Sequence, residues 1–416
     1  MHDLTRSPSL GRLLLFSYAF PPIQVQMTPA VVKPMAALAR SGYEVDVLCA
    51  APFLPYYPRD ASLVPYAERH FSNFTTLYPP EDLLGRLRRR SKVLSVVPDP
   101  MIVLHRQAFN TLMRMDLGKY EAIITWSPFH SINPVMVKLK RHHPSVQWLA
   151  QFSDPWSRNP LELSRLKKLW DWWQEPNTLR MADFIVHSSS YSRDLMVNGH
   201  SAEIRNKTSV IPHPFDEQLY PARPKAKNKQ ITLRHIGVLF DRRSPEPLLQ
   251  ALNNILRRRP QLSGELVVEL VGTVPLEMLQ TPAAQSLPPG MIRHVASVSY
   301  LESLEMMYDA DILLLIEADT KLNLFVPSKL SDYMGACTPI VGVAPPGGSE
   351  DIIRGLGCWQ ARPSDIDGIA RAVEAAVDYV ASGSREPWCN EDYRRQFSSD
   401  LIAGRFIDIL KNLEQR

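Results

Sequence analysis

The chain has 416 residues, 45% of them hydrophobic and 22% charged, which is ordinary globular chemistry in a length that usually divides into two or more domains. A formal charge of +4 is too mild for a nucleic-acid binder and fits a small or local anionic partner, an anionic ligand or an acidic membrane surface. Cys49, Cys337, Cys358 and Cys389 lie far apart with no CxxC or Cys/His pairing, which excludes a zinc motif or a disulfide framework and reads as the reduced thiols of a cytoplasmic protein.

In chain order, the first apolar run, residues 13–20, has no basic flank or small-residue cleavage site and ends in Pro21 and Pro22, so it reads as a strand. No run approaches the roughly 18 apolar residues needed to span a bilayer. Gly42 then closes a helix and a second strand covers 45–49, which makes one βαβ crossover. Its helix starts either at Thr28, with Pro29 at the first helical position, or near Lys33, because Pro34 would sit inside the longer helix. Strand-like runs at 122–126, 146–152, 183–188 and 208–212 alternate with helix-compatible segments, the pattern of a parallel sheet covered on both faces. These elements give a first domain over 1–219.

The stretch "YPARPKAKNKQ", residues 220–230, has little to bury and reads as a linker. A second series follows over 231–394: strand "ITLRHIG", helix "SPEPLLQALNNILRRR", strand "ELVVELVG", then "ADILLLIE" and "PIVGVA". In that helix Ser244 is the expected N-cap, Pro245 the first position, and Leu249, Leu252 and Leu256 the inward stripe. Residues 395–416 read as an amphipathic helix with Phe397, Leu401, Phe406 and Leu410 among its apolar positions.

Sheets of this kind bind ligands at the carboxyl ends of their strands, where loops lead into helix amino termini. After Gly237, "VLFDRRS" brings Asp241, Arg242 and Arg243 to a helix start. After the next strand Gly272 and Thr273 form a tight turn, and the loop to "FVPSKLSD" brings Ser328, Lys329 and Asp332. Arginine, lysine and helix-end amides together describe a diphosphate cradle, although each basic residue alone is equally a solvated surface charge. Asp332 either favours the positive end of its helix or accepts two ribose hydroxyls. In "PPGGSEDII", Glu350 and Asp351 would repel a phosphate, so Gly347 and Gly348 read as a turn with Ser349 as the cap. In "DAD", Asp309 closes a helix and Asp311 opens a buried strand at its amino end; no metal site is expected there.

The segments "HIGVLFDRRSPEPLLQAL", "LVGTVP", "YDADILLLIEADTKLNLFVPSKLSDYMGACTPIVGVAPPGGS", "SDPWSRNP", "VPDP" and "ADFIVHSSSYSRDLM" resemble parts of bacterial glycosyltransferases of the GT-B architecture, and within it family 4, the retaining enzymes that use nucleotide sugars. The Pro-x-Lys-x-x-acid-Tyr turn is the most specific of them. The resemblance implies an α/β fold of two doubly wound Rossmann-like lobes facing a cleft, with the tail helix crossing back onto the first lobe. It implies a UDP- or GDP-sugar donor, no cofactor or metal, and a glycan or lipid-linked glycan acceptor in bacterial surface polysaccharide or glycolipid synthesis. Arg243 and Lys329 would hold and neutralise the donor diphosphate with amides near Ser328, Asp332 would hold the ribose, and Gly237, Arg242, Gly272, Thr273 and Glu317 would line the donor site, with the loop after Gly272 near the base. His130 in "WSPFHS" and Asp154 in "SDPW" fall at acceptor or transferred-sugar positions.

Three positions depart from that family. The first member of its glutamate pair falls on Leu324, with Glu317 and Asp319 upstream in the same loop; "PPIQVQMTP" lacks the usual glycines; and His213-Pro214 replaces an Asn-Gly. Leu324 and the glycine-free first loop motivate a second reading, a catalytically silent scaffold or partner subunit; an epimerase or phosphorylase sharing the two lobes is a third. Two segments bear on the acceptor: "LLGRLRRRSKVLSVV", residues 83–97, and "LKKLWDWWQEPNTLRM", residues 166–181, with Trp170, Trp172 and Trp173 beside lysines. Such sequences either make peripheral contact with an anionic membrane or cover the first lobe as amphipathic helices.

Overall fold

Strand β1 (Gly11–Ser17) carries Leu13, Leu14, Leu15 and Phe16 in a row, all fully buried, because helices cover both faces of a parallel sheet. The computed structural model describes residues 10–54, 57–80, 97–160, 162, 164–240, 242–383 and 387–414. The basic stretch at 83–96 and Asp241 lie outside them. Two units form: one holds the chain up to Pro214 together with Ser399 onward, the other is Phe215–Ser398.

In the first unit β1 pairs in parallel with β2 (Tyr43–Ala50) and β4 (Ala122–Ser127), Leu13 lying opposite both Val45 and Ala122. With β3 (Asn73–Leu77), β5 (Trp148–Phe152), β6 (Phe184–His187) and β7 (Thr208–Val210) the seven-stranded order is β3-β2-β1-β4-β5-β6-β7. Helix α1 (Thr28–Arg40) starts at Thr28 and runs through Pro34. Its Val31, Val32, Met35 and Leu38 are fully buried, and this packing outweighs the hydrogen bond that an interior proline removes. The remaining helices here are α2 (Val64–His70), α3 (His105–Arg114), α4 (Ile132–His142), α5 (Arg165–Met181), α6 (Ser190–Val197) and α7 (Ala202–Asn206).

In the second unit β8 (Ile231–Ile236), β9 (Leu266–Val271), β10 (Ile292–Val295), β11 (Ile312–Ile316), β12 (Ile340–Val343) and β13 (Trp359–Ala361) form a parallel sheet in the order β10-β9-β8-β11-β12-β13. Its helices are α8 (Glu246–Arg258), α9 (Pro282–Gln285), α10 (Tyr300–Tyr308), α11 (Ser328–Gly335), α12 (Gly348–Leu356), α13 (Ile366–Ser382) and α14 (Glu391–Arg395). Helix α8 begins one residue later than expected: Pro245 takes the cap position, and the Ser244 hydroxyl accepts the Glu246 N–H at 3.2 Å. Its inward stripe is Leu248, Leu249, Leu252 and Ile255, with Leu256 only partly buried. Ser349 is not the cap of α12; Gly347, at φ 137°, holds that position and Ser349 lies buried in the first turn.

The segment 220–230 is part of the second unit rather than a free connection. Arg223 pairs with Asp309 at 2.6 Å, Lys225 reaches Thr338 at 2.6 Å, and Asn228 reaches Asp311 at 2.9 Å. Composition hides this because the partners lie far along the chain. Asp309 and Asp311 are thereby used structurally, Asp311 also accepting the Thr232 N–H at 2.8 Å. The last helix, α15 (Ser399–Glu414), is built into the first unit against α1: Arg40 bonds the Ser399 hydroxyl and Asp400, each at 2.9 Å, and Phe406 lies 6.1 Å from Trp126. Both sheets are thus doubly wound and Rossmann-like, as the alternation of strands and helices implies. In each, consecutive strands leave in opposite directions from a central pair, β1/β4 in one and β8/β11 in the other, and such switch points open crevices at the strand ends.

Candidate functional site

At the β8/β11 switch point the chain leaves β8 through Gly237 and β9 through Gly272, with φ of 139° and 117°. A Cβ on Gly272 would lie 2.3 Å from the Gly237 carbonyl oxygen, and one on Gly237 would lie 2.6 Å from Lys329 Nζ. The glycines let two loops close on each other and leave room for the lysine head.

Lys329 sits in the first turn of α11, behind Pro327 at the cap position. Its Nζ is buried without a hydrogen-bond partner. Burial first, and the nearby Arg243 second, push its pKa down to about 7, with Glu317 opposing. The Arg243 Nε is likewise buried and unpartnered, while the guanidinium stands 5.3 Å from the centre of the Phe240 ring. A tight turn holds it there, the Arg243 N–H bonding the Phe240 carbonyl at 2.6 Å. Glu317, directly after β11, is buried, and Asn323 Nδ2 donates to its Oε2 at 2.6 Å. Burial raises its pKa, against the pull of Arg243, Asn323 and Lys329.

His235 on β8 joins this group, although its sequence position gave no assignment. Its Nδ1 lies 2.9 Å from the Leu314 carbonyl and must donate to it, which leaves Nε2 as a buried acceptor without a partner. Burial and the charges of Lys329 and Arg243 keep the ring neutral. The available signal was a polar residue in a strand buried on both faces. Asn323 was the other omission: besides orienting Glu317 it bonds Pro346 and Gly348 through its main chain, at 2.7 and 3.2 Å, tying the loop before α11 to the start of α12.

The structure therefore gathers Gly237, Arg243, Glu317 and Lys329, with Gly272 alongside. Arg242 and Thr273 are exposed. Ser328 is half-buried at the start of α11, its carbonyl accepting the Ser331 hydroxyl at 2.6 Å. Asp332 is 4% exposed; Tyr300 donates to its Oδ1 at 2.9 Å and Tyr220 to its main-chain carbonyl at 2.8 Å. Leu324 is half-buried.

His130 and Asp154 belong to the first unit, after β4 and β5. His130 stacks on Trp156 with ring centres 4.7 Å apart and planes 10° apart, and Phe152 continues the column to His187. Its Nδ1 is buried without a partner, and burial, aided by Lys167, holds the ring well below the usual histidine range. Asp154 is half-buried, and desolvation pushes its carboxyl up to about 6. Asp99 of "VPDP" is structural: it accepts the Ser131 N–H at 2.8 Å, the Ser131 hydroxyl at 2.7 Å and the Met101 N–H at 3.0 Å, fixing the turn that carries His130. His213 is buried and pushed down to about 3 by burial and by Lys33. Among the described residues no group of three or more His, Cys, Asp and Glu is placed to hold a metal ion, and no helix is long and apolar enough to cross a membrane.

No protein-family model matches the chain, and no curated protein matches it in sequence. Solved structures do. HepE from Anabaena, in complex with UDP and glucose, is similar over 97% of this chain and 100% of its own, with a TM-score of 0.66 and 15% identity. A glycosyltransferase from Rickettsia africae is similar over 98% of this chain and 100% of its own, with a TM-score of 0.64 and 11% identity. Sucrose-phosphate synthase from Thermosynechococcus elongatus gives 97% and 99% coverage, a TM-score of 0.64 and 16% identity. At these identities the likeness is one of fold, the GT-B pairing of two Rossmann-like lobes.

Proposed function

We propose that this chain is a glycosyltransferase that moves a sugar from a nucleotide-sugar donor to a glycan or lipid-linked glycan. The observation that carries this reading is the pair of buried nitrogen donors without protein acceptors, Lys329 Nζ and Arg243 Nε, at the second unit's switch point. A buried charged donor left unpaired is expensive, and an anion at the amino end of α11 would complete both. The fold supports a diphosphate of a sugar nucleotide as that anion, since HepE was solved with UDP and glucose.

In this reading Arg243 and Lys329 neutralise the leaving diphosphate as the glycosidic bond stretches, and amides near Ser328 assist. Gly237, Gly272 and Thr273 line the nucleotide, with Arg242 at the rim, and Asp332 holds the ribose. Glu317, oriented by Asn323, takes the sugar-facing role that Leu324 cannot. The chemistry needs no metal: transfer proceeds with retention, the acceptor attacking the face the diphosphate leaves and passing its proton to the phosphate. His130 and Asp154 are acceptor-side groups in the first unit. We place the reaction in bacterial surface polysaccharide or glycolipid synthesis, in the cytoplasm.

The test is calorimetric titration of UDP, GDP, ADP and their common sugar conjugates into the protein and into Lys329→Ala. One nucleotide should bind saturably and lose about a hundredfold or more in affinity in the variant. Its sugar conjugate should release nucleotide when acceptor is supplied, with the anomeric configuration of the product read by NMR. Absence of binding to every nucleotide would overturn the reading. Binding without turnover would leave the silent scaffold.

A further inference from the structure

Helix α5 is inverted relative to an ordinary covering helix. Its two carboxylates face inward: Asp171 accepts Trp156 Nε1 at 2.7 Å, and Glu175 accepts the Ser157 N–H at 2.8 Å and its hydroxyl at 2.9 Å. Asp171 and Thr178 are 0% exposed and Glu175 3%. Four large apolar side chains face outward, Leu166 at 68% exposure, Leu169 at 64%, Trp172 at 68% and Trp173 at 63%, while Leu179 is buried and Trp170 and Met181 pack against the core. At about 100° per residue these four fall on one arc together with Arg165, Lys168 and Arg180. The exposed charges of α5 are these three cations, since both of its acids are turned in.

A surface of tryptophan and leucine flanked by arginine and lysine, with no exposed acid on the helix, complements one kind of partner: a bilayer with anionic headgroups. Tryptophan settles at the boundary of headgroup and acyl chain, and the cations add attraction to lipid phosphate. Exposed apolar patches mark interaction surfaces, and the cations around this one favour an anionic surface. We propose that α5 docks this protein on the surface of an anionic membrane, with Leu166, Leu169, Trp172 and Trp173 entering the interface and Arg165, Lys168 and Arg180 contacting phosphates. This inference does not rest on the donor site.

Purified full-length protein would be mixed with sedimentable vesicles of phosphatidylcholine alone or with phosphatidylglycerol, at low and high salt. The expected result is partition onto the anionic vesicles at low salt, a blue shift of tryptophan emission on binding, release by salt, and little binding to phosphatidylcholine alone. Replacing both tryptophans, Trp172→Ser with Trp173→Ser, should lower partition about tenfold or more while the thermal melt stays unchanged. Lys168→Glu, which leaves the apolar face intact, should also lower it. No partition at low salt, or equal partition of wild type and both variants, would overturn the proposal. So would concentration-dependent self-association in sedimentation velocity that is lost in the tryptophan variant without any lipid binding, since the face would then join copies of the chain.

Discussion

In the proposed donor site, Lys329 is a base whose charge depends on the anion it would meet. With its pKa lowered to about 7 by burial and by Arg243, the unliganded amine is largely neutral at pH 8. A bound diphosphate favours the charged form and raises that pKa, so binding at pH 8 takes up a proton and affinity falls as pH rises from 7 towards 9, approaching about tenfold per unit. Titrations in two buffers of different ionisation enthalpy measure the uptake directly. A pH-independent affinity with no proton uptake would mean that Lys329 does not meet the anion. The residues assembled around it were partly legible. Gly237 and Glu317 could be found because each directly follows a recognisable strand, and Arg243 and Lys329 because they lie at the starts of the helices that come next; parallel topology brings these ends together. His235 and Asn323 could not, because what assigns them is a contact across the sheet or between loops, His235 to Leu314 and Asn323 to Gly348.

Among the elements, the strands missed in the sequence are β3, β10 and β13, all at sheet edges. Edge strands are half-covered: β10 has no fully buried residue, and neither does β13, so the continuous apolar run that marks an interior strand is missing. Interior strands such as β8, β9 and β11 were readable to within one or two residues for the opposite reason. The docking of α15 on the first unit contains a titratable contact. Glu121, just before β4, is raised to about 7 by burial and by Glu414 near the end of α15. A carboxyl whose folded pKa lies above its unfolded value of 4.5 contributes stability at low pH that is lost as pH rises through about 7. The first unit of the wild type should therefore melt lower at pH 8 than at pH 5, and Glu121→Gln should remove about 2–4 °C of that fall. Equal pH dependence of the two proteins in calorimetry would show that the pair does not couple the helix to the unit.

At the scale of the molecule, two doubly wound units were legible from the alternation of strands and helices, and the boundary between them was not. Tyr220 to Gln230 has the composition of a connection, yet Arg223, Lys225 and Asn228 are bound to residues 309–338 of the second unit. The second unit is continuous in sequence and the first is not, since α15 returns to it after Ser398. Ending the chain at Ser398 should uncover the apolar face of α1, lower the first unit's calorimetric transition and leave nucleotide binding by the second unit in place. Loss of both would show that the units are one cooperative body.

That discontinuity also orders the protein's own synthesis. Residues 215–398 emerge before α15, so the unit begun second has its whole sequence available first, while the unit begun first waits roughly 10–40 s for its final helix at ordinary translation rates. Throughout that interval α1 lacks its cover, leaving an apolar nascent surface of the kind chaperones bind. A ribosome that stalls inside the second unit would leave a chain whose earlier half is chemically complete to Pro214 and still without α15.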